Sequence, residues 1–455
     1  EAFTSFSHTW DEHWQMLKEV ANINCIEGVT HLVFHTYTHN PNVASLAPGT
    51  SFSGAGIGTP FLRGQTWWKY MPEFTTYLAR CSYLMERGKP VSDVLWYLGD
   101  EINHKPDQNA PFPIGFKYDY CNQDVLLNRL AVDNGDLITP EGLRYSVLWL
   151  PEAPRMCMET LDKLYALIQA GATVIGEAPI GLATLSGGKA AQKHFNKMVK
   201  KIWGNNARQG IRPIGKGRMI SGMTLDEALT KLNMEPDIKG QDVLWSHRNI
   251  DQADWYYVVA PQGKEFAGQL DFRNKGNVEI WDPLTGDVTP AVYETKGGRT
   301  MVTVDLPQAG SCFVVFRKDK PITEIVAKEK KVIATIPFTN TWKIEFPVGW
   351  GAPETLQLTD LKAWKDLDLS AEAKAFSGTV DYSTTFEVDK SRDANYILDL
   401  GKVDMIAEVV LNDNPIRILW TSPYQADITK ALRSGKNQLT VKVTSTWFNR
   451  LVFDA

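Results

Sequence analysis

The chain has 455 residues, of which 43% are hydrophobic and 22% charged, so it is too long for one ordinary domain and too apolar to be disordered. Its net charge of −5 supplies no basic field for nucleic acid, and no stretch approaches the ~20 apolar residues that a membrane helix needs. Five scattered cysteines, Cys25, Cys81, Cys121, Cys157 and Cys312, show no Cys-x-x-Cys spacing, which argues against a zinc cluster or a disulfide framework and for small core residues.

The opening Glu-Ala-Phe-Thr without an initiator Met, and an end straight after a strand-like run, read as a fragment with any signal peptide out of view. Residues 1–90 alternate short apolar runs with helical patterns. A helix is expected over about 11–21 and a buried strand over 29–35. The loop that follows carries Pro41, Pro48, Gly49, Gly54, Gly56, Gly58 and Pro60, and a loop of that length is often functional. Residues 67–87 place Tyr70, Phe74, Tyr77, Leu78, Cys81 and Leu84 at helical spacing, with Gly88 as the stop. A strand, a decorated loop and a covering helix suggest the end of a (β/α)8 barrel.

Residues 91–235 predict an α/β accessory domain of flavodoxin or amidotransferase type. Strands over 94–98, 145–150 and 173–176, with helices around 124–131 and 159–170, give a βαβαβ order and hence a parallel sheet. Gly99-Asp100-Glu101 and Gly176-Glu177-Ala178-Pro179 fall just past strand ends, where open α/β sheets hold ligands. Such carboxylates equally serve as helix caps. Residues 236–320 then turn to strands alone, over 254–260, 277–281, 300–304 and 311–316, with Asp282-Pro283-Leu284-Thr285-Gly286 as a turn. A β-sandwich is expected. Nine of the fifteen residues 317–331 are Lys, Arg, Asp or Glu, a solvated connection rather than a binding patch. Residues 321–455 form a second all-β unit, read as a jelly roll from runs at 378–386, 395–400, 407–411 and 438–443.

Several of these stretches carry a resemblance. Glu1-Ala2-Phe3-Thr4-Ser5, His35-Thr36-Tyr37-Thr38-His39-Asn40-Pro41, Pro48-Gly49, Arg63-Gly64-Gln65-Thr66-Trp67-Trp68 and Tyr77-Leu78-Ala79-Arg80 resemble the end of the catalytic barrel in glycoside hydrolase family 106, the α-L-rhamnosidases. Residues 91–100 and Tyr118-Asp119-Tyr120 are similar to that family's accessory domain. Phe376-Ser377-Gly378, Leu398-Asp399-Leu400-Gly401, Leu411-Asn412, Asp427-Ile428-Thr429 and Thr446-Trp447-Phe448-Asn449-Arg450-Leu451 resemble the galactose-binding-like jelly roll of family 2. Asn412-Asp413-Asn414 stands where the hairpin usually has Asn-Gly, a mild departure because Asn and Asp also tolerate positive φ.

The resemblance implies an inverting, calcium-dependent enzyme of oligosaccharide or polysaccharide substrates, periplasmic or secreted. Inversion needs two carboxyl groups ~6.5–9.5 Å apart. Glu1 is given the general-base role by resemblance, and the acid is expected on an earlier barrel strand outside the chain; a helix cap or ion pair is the bland alternative for Glu1. His35, Tyr37 and His39 have period-two spacing, which points them to one side of an extended segment, where they could meet sugar hydroxyls. Loop histidines bonded to backbone, or a zinc site lacking a third ligand, are the alternatives. Trp10 and Trp67 could pack on a sugar face, although one of Trp67 and Trp68 is expected in the core. Arg63 could pair with a site carboxylate or sit on the rim. No calcium ligand set is visible. Trp420, Trp447 and Asn449 invite a carbohydrate-binding reading of the last unit, against a structural one. Two other functions remain open: a β-galactosidase-like glycosidase, and a non-catalytic carbohydrate-binding fragment.

Overall fold

A computed structural model describes residues 1–6, 10–40, 57–100, 112–151, 153–205, 210–239, 242–323 and 331–455. The chain is a multidomain α/β plus β-rich protein. Its first part is built on two helices, α1 (Trp14–Ile26) and α2 (Met71–Met85). Each buries one stripe at helical spacing: Trp14, Leu17, Lys18, Ala21, Asn22 and Cys25 on α1, and Phe74, Tyr77, Leu78, Cys81 and Met85 on α2. The helix expected from residue 67 opens with a 3-10 turn, Trp68–Tyr70, and becomes α-helical at Met71, with Pro72 in the first turn where its missing N–H costs nothing. The strand expected over 29–35 is not regular. It survives as a parallel bridge between Ala2 and Phe34, because each extended segment here finds a neighbour for only a few residues.

Gly88 ends this part at φ +67°, and a Cβ there would stand 2.3 Å from the Asn249 carbonyl oxygen. That close approach lets the short strand Lys89–Pro90 pair antiparallel with Arg248 and Asn249.

The α/β sheet runs in the order Gly210–Ile214, Gly217–Ser221, Thr173–Gly176, Val147–Leu150, Val94–Tyr97, Tyr118–Cys121. All neighbours are parallel except the first pair. Tyr118–Cys121 is a strand that the pattern reading passed over. Its Tyr-Asp-Tyr-Cys sequence lies at a sheet edge with only Cys121 buried and shows no apolar run. Helices cover both faces: Met158–Ala170 and Gly188–Trp203 pack on one, and Leu225–Lys231 on the other.

Two antiparallel sheets follow and share one core. Leu270, Phe272, Val302 and Val304 come from one; Tyr256, Val258, Val314 and Phe316 come from the other. The strand Ala253–Val259 is buried throughout. Its alternate residues Ala253, Trp255, Tyr257 and Val259 face outward into a second core, where they meet α1 and α2. Phe313 and Val315 do the same from the adjacent strand Ser311–Arg317. Met405, Ile406 and Trp420 of the last unit enter that core as well. This last unit has a six-stranded antiparallel sheet and a two-stranded one, Ile397–Asp399 with Gln425–Asp427.

Candidate active site

Glu1 is held by backbone pairing. The Ala2 N–H donates to the Val33 carbonyl at 2.7 Å, and the His35 N–H to the Ala2 carbonyl at 3.0 Å. A third segment joins through Thr59 N–H to Phe3 O at 3.0 Å, Gly58 N–H to Ser5 O at 2.8 Å, and Phe61 N–H to Thr36 O at 3.1 Å. Three extended segments, around residues 1–5, 33–36 and 58–61, therefore lie side by side. Phe3 turns the chain there at φ +66°, a conformation rare for a bulky residue and typical of constrained sites. Its buried ring is held against Phe34, Phe61 and Phe74 at centroid distances of 5.4, 5.8 and 5.9 Å. Gly58, at φ +77°, lies so close to His35 that a Cβ would be 2.7 Å from Nδ1. Only glycine lets the backbone pass the imidazole here.

The Glu1 side chain is exposed, and the Thr4 hydroxyl donates to its Oε1 at 2.7 Å. That bond, with the nearby His35 charge helping, holds the carboxyl below its usual range. The group is therefore an ionised acceptor near neutrality, as a general base must be. Glu12 is a second carboxylate beside these segments, one that no motif marked. It is 9% exposed and accepts a hydrogen bond from the Thr59 hydroxyl. It precedes α1, whose pattern starts two residues later, so no periodicity marks it.

The other candidates separate. His35 is half-buried, whereas Tyr37 and His39 are exposed. Tyr37 lies 6.2 Å from the Trp68 ring, tilted by 41°. Arg63 is exposed, with Nη2 3.5 Å from the Asn40 carbonyl, and Trp10 is half-buried. Trp67 is a correction: it is 1% exposed, packed against Trp14 at 5.6 Å and Phe61 at 6.1 Å. It is core, and the half-buried Trp68 is the member of the pair beside Tyr37. Both indoles read alike in sequence; only the start of α2 decides which turns inward. Among the described residues no group of three or more His, Cys, Asp or Glu could hold a metal ion.

Of the strand-end carboxylates of the α/β sheet, Asp100 caps a helix start, and it lines with Glu177 a cavity of about 440 Å³ just past the strand ends. Asp100 accepts from the Tyr97 hydroxyl, from Thr160 Oγ1 at 2.8 Å and from the Cys157 N–H at 2.5 Å, at the start of the helix Met158–Ala170. Glu177 accepts from the Gly222 N–H at 2.6 Å; Glu101, like residues 41–56 of the long loop, lies outside the described residues. In the last unit, Trp420 packs on Trp14, Phe74 and Tyr77, and Trp447 Nε1 donates to the Gly64 carbonyl at 2.8 Å. Both tryptophans are contacts between units, and only Asn449 is exposed.

The alpha-L-rhamnosidase family profile matches residues 1–295, more than half of the chain. The chain belongs to glycoside hydrolase family 106. The segment 357–452 matches the galactose-binding-like domain of glycosyl hydrolase family 2. A rhamnosidase structure from Novosphingobium sp. PP1Y superposes with a TM-score of 0.91 at 31% identity, covering 100% of this chain and 44% of that one. A Formosa agariphila protein with a provisional beta-glucuronidase name is 23% identical over 100% of this chain and 57% of its own length. The chain thus spans about half the length of the relatives it matches. No helix among the described residues is long and apolar enough to cross a membrane.

Proposed function

We propose that this chain is part of an inverting exo-α-L-rhamnosidase of plant glycans or glycosides, acting in the periplasm or outside the cell. In this reading residues 1–90 close a (β/α)8 barrel, and residues 321–455 are a jelly roll that braces it. The observation that carries the proposal is the family match over the segment that holds Glu1 beside His35. Glu1 takes a proton from the attacking water as that water adds to the anomeric carbon. The Thr4 hydroxyl keeps the carboxylate ionised and oriented. The second carboxyl, which protonates the leaving oxygen, is assigned outside these residues, on the longer polypeptide that the relatives' lengths suggest. Tyr37 with Trp68 offers an aromatic face to the apolar side of a sugar ring, and His39 and Arg63 are assigned as donors to its hydroxyls. Calcium dependence is carried over from the family alone, and no step depends on it.

The test is hydrolysis of 4-nitrophenyl α-L-rhamnoside, against the β-glucuronide and β-galactoside, by the full-length polypeptide carrying this chain. Rhamnoside turnover that falls ~10²–10⁴-fold in Glu1→Gln, with folding intact, is the expected result. Preferred cleavage of the glucuronide or galactoside would replace the substrate assignment. Rhamnosidase activity within about tenfold of wild type in Glu1→Gln would remove Glu1 from the mechanism.

A further inference from the structure

A cleft of about 450 Å³ opens where three parts of the chain meet, within the ~300–1,000 Å³ typical of small-molecule sites. Lys18 of α1 forms its floor. Asp282, Asp305 and the turn at Gly310 belong to one wall, and Arg417, Thr421 and Asp427 to the other. None of Glu1, His35 or Tyr37 lines it.

Its chemistry is mixed and nearly balanced. Thr421 is 3% exposed, yet its hydroxyl has no hydrogen-bond partner among the described residues. Buried hydroxyls are nearly always satisfied, so this one calls for an explanation. Lys18 is 2% exposed and directs one of its three donors to the Ala309 carbonyl at 2.5 Å. Arg417 and Asp305 are exposed, without an ion-pair partner among the described residues. Asp282 and Asp427 are partly engaged with the backbone N–H groups of Leu284 and Thr429. Ile397, 55% exposed, adds an apolar surface beside these groups. Two cations against three carboxylates disfavour an anionic ligand. Interleaved donors and acceptors next to an aliphatic patch suit a molecule with many hydroxyls and one apolar face.

We propose that this junction cleft is a binding site for a neutral saccharide, built jointly by α1, the paired sheets and the last unit. The proposal does not depend on which glycoside the enzyme hydrolyses. It also gives the contact between units a task besides packing.

The experiment is saturation-transfer NMR titration of the 455-residue chain with L-rhamnose, D-galactose and D-glucuronate. A neutral sugar is expected to bind with Kd in the millimolar range, and Thr421→Val and Arg417→Ala to weaken it by about tenfold or more. Glu1→Gln and Tyr37→Ala are expected to leave that affinity unchanged, which separates this cleft from the proposed catalytic end. Thermal melts check that Thr421→Val folds, and Arg417→Ala is a surface change that tests the same wall if it does not. Three results overturn the proposal: no saturable binding of either neutral sugar, tighter binding of glucuronate than of both, or a signal lost in Tyr37→Ala but kept in both cleft variants.

Discussion

Replacing Lys18 with Met is expected to stabilise the protein. Burial pulls the Lys18 amine down from 10.5 to about 8, which at pH 7 corresponds to a cost of roughly 3 kcal/mol for keeping the charge in place. Met fills a similar volume without a charge. Against this gain stands the bond to the Ala309 carbonyl, a charged hydrogen bond worth about 1.5–3 kcal/mol. The acceptor is not abandoned, because Asn22 Nδ2 lies 3.4 Å from the same oxygen. The net expectation is a modest gain of about 1 kcal/mol at pH 7. Its pH dependence is the sharper signature. Since the folded value is the lower one, the wild type is most stable relative to the variant above 10.5 and loses that stability as the pH falls through about 8. The advantage of Lys18→Met should therefore be largest at pH 7 and reversed near pH 10.5, where the burial cost is gone and only the lost bond remains. Urea unfolding followed by tryptophan fluorescence at several pH values measures it. A variant that is less stable at pH 7 by more than about 1 kcal/mol, or a difference independent of pH, would refute the account.

His247 bridges Asp237 at 2.7 Å and Asp254 at 3.1 Å, with all three side chains under 10% exposed. His247→Ala removes one partner from each of two buried carboxylates, which keep Lys318 on Asp254 and Tyr256 with Arg273 on Asp237, and should cost about 1–3 kcal/mol by denaturant unfolding. Though burial alone would lower it, the two carboxylates raise the His247 value; Asp237 is lowered by His247 against the same burial. The histidine's contribution is thus lost as pH rises above 6.5, and the aspartate's as pH falls below 3.8, so wild-type stability should crest between these values and the variant's should not. Asn22→Ala removes the acceptor shared by the Tyr77 and Tyr257 hydroxyls, at 2.5 and 2.7 Å, and should cost about 1–3 kcal/mol in the same assay. A calcium chelator should leave the melting temperature of the 455-residue chain unchanged, since no three His, Cys, Asp or Glu side chains gather among the described residues; a clear drop would reveal a site built on other oxygens.

Regular strands with two buried faces were the most legible elements. Asp254-Trp255-Tyr256-Tyr257-Val258-Val259-Ala260 is unbroken because odd and even residues enter different cores, and the match to Ala253–Val259 is close. Edge elements were less legible. Tyr118–Cys121 and Lys89–Pro90 are fixed by their sheet partners rather than by their own patterns. At the candidate site, the motif strings led to Glu1, His35 and Tyr37. The same strings reached the Trp67-Trp68 pair without deciding which member faces out; Glu12 and Thr421 could not be found that way, because their roles rest on which segments become neighbours across the fold.

The core around α1 and α2 has a mechanical consequence. Trp420 is packed into it, and the last unit is also tied down by Tyr70 on Glu408, Thr66 on the Ser445 carbonyl and Trp447 on Gly64. The covalent connection through residues 317–331 is thus redundant for holding the pieces together. A protein cut once within that connection should migrate as one particle on a sizing column and separate only when unfolded. The C-terminal unit behaves as a noncovalently captured subunit that happens to share a polypeptide.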